Sequence, residues 1–276
     1  MIEVPTVLRS NSFRHETWRR QPLHIQAHNI KGILSTLKQV NLENTAIKLA
    51  EVAPAQVLRV NDIIFAQRAC LAEPKLRTLA SDFGLQTVPT IRNVWVDLVI
   101  GGNSLTGIGN HFDTSDNFTI QIQGTKYWTL RCPTAEGIAI ARKYLALRLP
   151  GTPILPTEPE VYEFEVHEGD MLYIPLFWMH SGTAASTSRS ASIVLNGESW
   201  IDAIYFLCWQ LADLGNWSFP LPRSLGSEGT DNPCLTAPPD IIESLVSALR
   251  SDDFGADRLI SEWYKGRAER MIGHIK

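Results

Sequence analysis

Strand patterns follow one another closely between residues 94 and 197, and this succession restricts the folds open to the chain more than any other feature. Residues 94–100 are almost wholly apolar, and residues 117–123 alternate apolar with polar side chains. Alternation with period two predicts a strand with one buried face. Further strand patterns occupy residues 171–175 and 191–196, and helical patterns flank the set. The order predicts a mainly β fold with helical additions, built on a double-stranded β-helix, or jelly roll.

The length of 276 residues fits one large domain, or a domain with an extension. We interpret residues 1–276 as a single domain with a β core at about 90–200 and a helical C-terminal extension at about 200–276. Apolar spacing predicts helices within that extension at 200–214, 239–251 and 256–275, separated by a loop rich in Pro, Gly and Ser at 215–239.

The first ninety residues carry mainly helical spacing. Apolar residues recur at helical intervals at 29–40, and residues 44–52 predict another short helix. Residues 56–60 are typical of a strand. Residues 62–83 predict a helix that is interrupted near Pro74, because proline breaks a helix interior.

Charge and cysteine usage exclude several classes of protein. The net charge of −4 argues against a protein that binds nucleic acid by neutralising phosphates. The four cysteines form no Cys-x-x-Cys pair, which argues against a zinc finger or a thioredoxin-like site. So few cysteines fit a reducing compartment, and we expect a cytoplasmic protein. No signal-peptide pattern and no membrane span is visible, so no membrane partner is expected.

His111 and Asp113 lie two residues apart, and His180 follows the strand pattern at 171–175. Residues i and i+2 of a strand point to the same face, so the imidazole and the carboxylate would converge. Two histidines and one carboxylate form the facial triad of non-haem Fe(II) sites, which leaves about three coordination positions open. A zinc site can use the same ligands. A hydrogen-bonded histidine beside a turn aspartate is the simplest alternative.

The sequence around these residues carries further spaced motifs. Residues 111–126 read His-x-Asp, then Asn-Phe, then Gln-Ile-x-Gly-x-Lys, and residues 169–180 read Gly-Asp-x-Leu-Tyr-Ile-Pro-x-x-Trp-x-His. Over about 108–130 and 169–197 the chain resembles the JmjC-type, cupin-fold 2-oxoglutarate oxygenases. The resemblance is strongest to the branch that contains the asparaginyl hydroxylase of hypoxia-inducible factor.

The resemblance implies a set of cofactors and a reaction. Fe(II) would be held by His111, Asp113 and His180, which are then the catalytic and metal-binding residues. The co-substrate 2-oxoglutarate would chelate the metal through its keto acid end, and O2 would take the last position. The reaction would yield succinate, CO2 and a hydroxylated C–H bond, with the iron supplying the chemistry and the protein the positioning.

Lys126 opens the strand pattern at 126–131. A lysine that points into a barrel costs several kcal/mol unless it is paired, and an anionic partner would remove that cost. In the resembling family, the lysine at this spacing holds the distal carboxylate of 2-oxoglutarate. The alternative places Lys126 in solvent at the edge of a hairpin.

Two asparagines and three aromatic residues are weaker candidates for the site. The resemblance implies that Asn117 and Asn196 help to bind 2-oxoglutarate or to order the site, although Asn196 would equally serve as a strand-end cap. The aromatic residues that could shape the pocket are Trp95, Tyr173 and Trp178, for which packing within the barrel wall is the alternative.

These observations predict an Fe(II)/2-oxoglutarate-dependent dioxygenase that hydroxylates an amino-acid-like group in a peptide or small natural product. One alternative is a protein side-chain hydroxylase. The others are a metal-dependent cupin isomerase or hydrolase, against which Lys126 argues, and a non-catalytic binding cupin, against which the intact set His111, Asp113 and His180 argues. The loops at 101–109, 150–160 and 215–239 would carry substrate selectivity. The C-terminal helices would pair two subunits or pack on the barrel.

Overall fold

A computed structural model of the chain describes residues 2–60, 62–87, 93–101, 109–147, 153–184 and 186–196. All of these belong to the first of the two units into which the chain divides, Met1–Gly197. The helices expected at 200–275, the loop at 215–239 and any subunit pairing through those helices lie outside the described residues.

Two antiparallel sheets form the β core of the described chain. Their strands are β1 Leu23–Ile25, β2 Val57–Val60, β3 Ile63–Ala66, β4 Asn93–Gly101, β5 Asp116–Gln123, β6 Lys126–Arg131, β7 Tyr162–Val166, β8 Met171–Ile174, β9 Met179–Ala184 and β10 Ser188–Asn196. The larger sheet has the order β1-β8-β5-β10-β4-β3-β2, and the smaller has the order β7-β6-β9. This two-sheet architecture confirms the predicted jelly-roll core.

Helices cover the outer face of the larger sheet. The α-helices in the described residues are α1 Thr6–Arg9, α2 Lys31–Lys38, α3 Leu42–Val52, α4 Pro74–Thr87 and α5 Ala135–Leu147. Among them, α2 packs on β5, whereas α3 and α4 pack on β4. The side chain of Asn41 caps α3 by accepting a hydrogen bond from the Asn44 N–H at 2.9 Å. The predicted helical additions are therefore present before the β core. No helix in the described part of the chain is long and apolar enough to cross a membrane.

The alternation in β5 separates two different environments. Phe118 and Ile120 are fully buried on the face that packs against the helices. Asn117, Thr119 and Gln121 lie on the opposite face, and they are also buried, at 7%, 4% and 1% exposure. Both faces of β5 are thus covered, where the pattern predicts only one. The polar face lies inside the core, because β6 and β9 of the smaller sheet cover it.

The helix predicted at 62–83 is wrong in its first half. Residues Ile63–Ala66 form β3, which pairs with β2 and β4, and the helix α4 begins only at Pro74. A run of four apolar residues fits a buried strand as well as a helix, so periodicity alone does not separate them. These residues form a strand because they pair with β4. The proline lies in the first turn of α4, where its missing N–H needs no partner.

Candidate metal centre

The backbone brings His111 and His180 side by side. The N–H of His111 donates to the carbonyl of His180 at 3.0 Å, and the N–H of His180 donates to the carbonyl of His111 at 2.7 Å. His180 is the second residue of β9, and its partner in β6 is Leu130. Two residues separated by about seventy positions are therefore fixed opposite each other by a two-bond antiparallel bridge.

The side chains of His111, Asp113 and His180 converge on one point. Their ligand atoms all lie within 4.8 Å of one another. Nε2 of His111 lies 3.9 Å from Oδ1 of Asp113, and Nε2 of His180 lies 3.5 Å from Oδ2. Ligands at about 2.0–2.2 Å from one ion are separated by roughly 3 Å, so small side-chain adjustments suffice for all three to bind it.

The second nitrogen of each histidine is already engaged. Nδ1 of His111 lies 3.0 Å from the carbonyl oxygen of Gly109, and Nδ1 of His180 lies 2.9 Å from that of Trp178. A carbonyl accepts only from a protonated nitrogen, so Nε2 of each neutral ring is left with a lone pair towards Asp113. Burial lowers the pKa of His180, an effect that the nearby Asp113 carboxylate opposes. This donor set fits a divalent cation.

Asn117 orients the carboxylate of this group. Its amide nitrogen donates to Oδ2 of Asp113 from the polar face of β5. The hydrogen bond leaves Oδ1 of Asp113 directed towards His111, which it approaches to 3.9 Å. The structure therefore brings Asn117 to the site, where its amide contacts the Asp113 carboxylate.

Lys126 points into the same interior rather than into solvent. It is the first residue of β6, it is 9% exposed, and burial lowers its pKa to about 8. Its Nζ lies 4.7 Å from the centroid of the Trp128 ring. Within the described residues no carboxylate pairs with it, and a desolvated ammonium without a counter-ion is strongly unfavourable. The site thus presents a cation that an anionic ligand would stabilise.

A cavity of about 320 Å³ connects the three converging side chains with Lys126. It lies between the two sheets, because Asn117 and Thr119 of the larger sheet and Trp128 and Gly182 of the smaller sheet all line it. Asn196 does not line it. Asn196 ends β10 opposite Asn93, beyond the cavity-lining Ser192, and its proposed part in co-substrate binding stays a prediction.

The three aromatic residues considered from the sequence do not line the cavity. Tyr173 packs in the core beneath the helices, and Trp178 packs against Tyr162 at a centroid distance of 5.3 Å. Trp95 is half-buried below the guanidinium of Arg68. The barrel-wall alternative therefore describes them, and among the described residues Phe65 and Trp128 are the aromatic side chains, besides the histidines, that line the cavity.

Asp97 is a cavity residue that sequence reasoning missed. It lies in β4, lines the cavity, and accepts a hydrogen bond from the Arg68 N–H at 2.7 Å. Burial raises its pKa to about 6; the Arg68 N–H opposes this effect and the charge of Asp113 adds to it. A single acidic residue within the apolar run 94–100 was the available signal, because a buried strand tolerates a carboxylate only where something pairs with it.

Comparison with known proteins identifies a domain within the chain. The sequence model of the JmjC domain matches residues 83–202. A bifunctional lysine-specific demethylase and histidyl-hydroxylase, NO66 of Drosophila persimilis, is 29% identical over 170 residues, which cover 62% of this chain and 21% of the relative. Ribosomal oxygenase 1 of Danio rerio is 22% identical over 231 residues, which cover 71% of this chain and 40% of the relative. The chain therefore spans less than half the length of either relative.

Solved structures share the fold. The ribosomal oxygenase YcfD of Escherichia coli, in complex with cobalt and 2-oxoglutarate, superposes with a TM-score of 0.53 at 14% identity. The superposition covers 92% of this chain and 70% of that one. Another structure of the same protein gives a TM-score of 0.55 at 14% identity, again over 92% of this chain and 70% of its own. Together with these similarities, the match places residues 83–202 in the JmjC domain, in agreement with the predicted family.

Proposed function

We propose that this chain is an Fe(II)- and 2-oxoglutarate-dependent hydroxylase that acts on an amino-acid side chain within a protein or peptide. One observation carries the proposal: the three ligand atoms, which lie within 4.8 Å of one another, share a cavity with the buried Lys126, which has no carboxylate partner among the described residues. A binding site for a metal alone has no need of a desolvated ammonium, whereas a dicarboxylate bound to the metal supplies its counter-ion.

His111, Asp113 and His180 would hold the ion, and Asn117 would keep the Asp113 carboxylate turned towards it. Lys126 would pair with the distal carboxylate of 2-oxoglutarate. Bound iron would supply O2 activation: one oxygen atom would enter succinate as 2-oxoglutarate loses CO2, and the other would enter a substrate C–H bond. Lys126, His180 and Asn117 lie in the buried part of the cavity, which would limit the access of bulk water from that side.

Asp97 favours a substrate side chain that donates N–H groups. Its carboxylate lines the cavity beside Asp113, and an imidazole, ammonium or guanidinium group would offset the repulsion between the two acids. The named activities of the NO66 relative, on lysine and histidine residues, agree with such a group. We therefore favour a basic or imidazole side chain in a protein over a small natural product.

Succinate formation in the presence of Fe(II), 2-oxoglutarate, O2 and matched peptides tests the proposal. Peptides that differ only at one position, carrying His, Lys, Arg, Asn or Leu, should stimulate turnover only where that residue is His, Lys or Arg. The product should gain one oxygen atom by mass spectrometry. Metal binding without 2-oxoglutarate turnover under any of these conditions would instead indicate a cupin that is not an oxygenase.

A cytoplasmic location is a further part of the proposal. In the described part of the chain, Cys70 and Cys132 are free thiols, and Cys70 is buried. Burial raises the pKa of Cys70 to about 11, which keeps the thiol protonated and poorly reactive. Both observations agree with a reducing compartment.

A further inference from the structure

A buried polar cluster lies on the opposite side of β5 from the candidate metal centre. The carboxylate of Asp116 is fully buried and accepts three hydrogen bonds. The donors are Nε of Arg19 at 2.9 Å, the hydroxyl of Tyr173 at 2.9 Å and the N–H of Leu176 at 3.2 Å. The N–H of Arg19 donates in turn to the Tyr173 hydroxyl at 2.9 Å. One carboxylate therefore joins the N-terminal segment, β8 and the segment that follows β8.

Adjacent residues of β5 act on opposite sides of the sheet. Successive side chains of a strand point to opposite faces, so Asp116 faces the core beneath the helices while Asn117 faces the cavity. On the cavity side, Asn117 donates to the carboxylate of Asp113. On the core side, Asp116 accepts from the backbone of Leu176. The start of β5 thus contacts both the acidic candidate ligand and the segment that leads to His180.

The segment between β8 and β9 has a conformation that needs external support. Phe177 has a φ of 67°, in the left-handed region, which costs about 1–2 kcal/mol for a residue with a Cβ. Its N–H donates to the carbonyl of Asp113 at 3.0 Å, while the preceding N–H, of Leu176, donates to Asp116. Such a conformation persists only where the surroundings fix it. Three residues later the chain presents His180.

We propose that Arg19, Asp116 and Tyr173 form a positioning cluster that fixes residues 175–178 and so sets the spacing of His180 and Asp113 for metal binding. The inference rests on the proposed function, since it assigns a support to the proposed ligands. Arg19 lies outside residues 83–202, which match the JmjC domain. The N-terminal segment therefore takes part in organising the metal site without contacting it.

Asp170 provides a matched control for Asp116. It is also a buried carboxylate, at 7% exposure, and it also ties the N-terminal segment to β8. Its oxygens lie 3.0 Å from Nε2 of His24 and 2.9 Å from the N–H of Ala27. Asp170 precedes β8, however, whereas residues 175–178 follow it, so Asp170 does not hold that segment.

The test is an anaerobic titration of the full chain with Co²⁺, followed by the visible absorption of the bound ion. Asp116→Asn should weaken Co²⁺ binding about tenfold or more, the effect typical of groups that orient metal ligands. Asp170→Asn should lose comparable thermal stability but keep the wild-type affinity. Equal affinities of Asp116→Asn and the wild type would overturn the proposal, as would an equal loss in Asp170→Asn. A wild-type chain that binds no Co²⁺ would instead overturn the proposed function.

A second measurement needs neither metal nor a drastic variant. Arg19→Ala removes one donor at a half-exposed position, and Arg19→Lys restores a single donor. Amide hydrogen exchange at Phe177 and His180 should accelerate at least about tenfold in Arg19→Ala, since each decade reports about 1.4 kcal/mol of lost protection. Arg19→Lys should recover part of the lost protection. Asp170→Asn should not accelerate exchange at these two residues. Unchanged exchange in Arg19→Ala would refute the positioning role even where Asp116→Asn fails to fold.

Discussion

His111 and Asp113 contribute more to the site than to the packing of the fold. Their side chains are 22% and 38% exposed, in contrast to the buried His180. We expect His111→Ala or Asp113→Ala to abolish succinate formation and to shift the melting temperature by only a few degrees, as is usual for substitutions outside the core. Coupled turnover assays and thermal denaturation check this, and full activity in either variant would refute the ligand assignment.

The pKa of Lys126 predicts how 2-oxoglutarate affinity depends on pH. In the free protein the ammonium loses its proton as pH rises through about 8, well below the ordinary value of 10.5. Only the charged form pairs with a carboxylate, so the dissociation constant should rise up to about tenfold per pH unit above pH 8. Calorimetry on the Co²⁺-bound protein at pH 7–9.5 measures this dissociation constant. Lys126→Met should bind weakly at every pH and remove this dependence; an unchanged dependence would assign it to another group.

The lowered pKa of Lys126 strengthens the folded state as pH rises, although it weakens 2-oxoglutarate binding. Between about pH 8 and 10.5 the unfolded chain keeps the Lys126 proton that the folded chain has lost. The unfolded state then binds more protons, so this residue makes the ligand-free protein more stable as pH rises through that window. Denaturant unfolding of wild type and Lys126→Met over that range should show the difference. A wild-type stability that falls relative to Lys126→Met would contradict the direction.

At the level of elements, the pairing of β6 with β9 determines the space around Lys126. Gly182 lies opposite Trp128. A Cβ at Gly182 would come within 3.0 Å of two Trp128 ring carbons and within 3.1 Å of Cε of Lys126. Gly182→Ala should therefore displace the ammonium and weaken 2-oxoglutarate binding about tenfold, within the 1–3 kcal/mol typical of overpacking. Thr183→Ala, on the exposed face of β9, is the control, and equal affinities for both variants would contradict the prediction.

Elements with local signals could be predicted from the sequence, whereas their surroundings could not. Period-two alternation identifies β5, and the apolar run identifies β4. Whether a polar face meets solvent or a cavity depends on strands that are distant in sequence, so the burial of Thr119 and Gln121 carried no local signal. The same reason explains Asp97, whose pKa depends on its burial and on Asp113 and Arg68 across the fold.

Within the candidate site, too, the residues in sequence motifs could be predicted, whereas contacts between distant residues could not. His111, Asp113, His180 and Lys126 sit in spaced motifs, and the fold brings all four to one cavity. Asn196 has no comparable motif, and its position depends on how far β10 extends past the cavity. The contact between Arg19 and Asp116 joins residues that are 97 positions apart, which no local pattern encodes.

The N-terminal segment also belongs to the folding unit, although the JmjC match begins at residue 83. Phe13 is 1% exposed and packs on Tyr173 and Phe118 at centroid distances of 5.5 and 6.2 Å. Phe13→Ala should therefore destabilise the full chain by about 3–5 kcal/mol, the usual cost of emptying a buried phenylalanine site. Denaturant unfolding measures this, with the half-exposed Val7→Ala in α1 as the control. A decrease of less than about 1 kcal/mol in the free energy of unfolding of Phe13→Ala would contradict the prediction, because surface substitutions usually stay within about 0.5 kcal/mol. The segment would then contribute little to the stability of the fold.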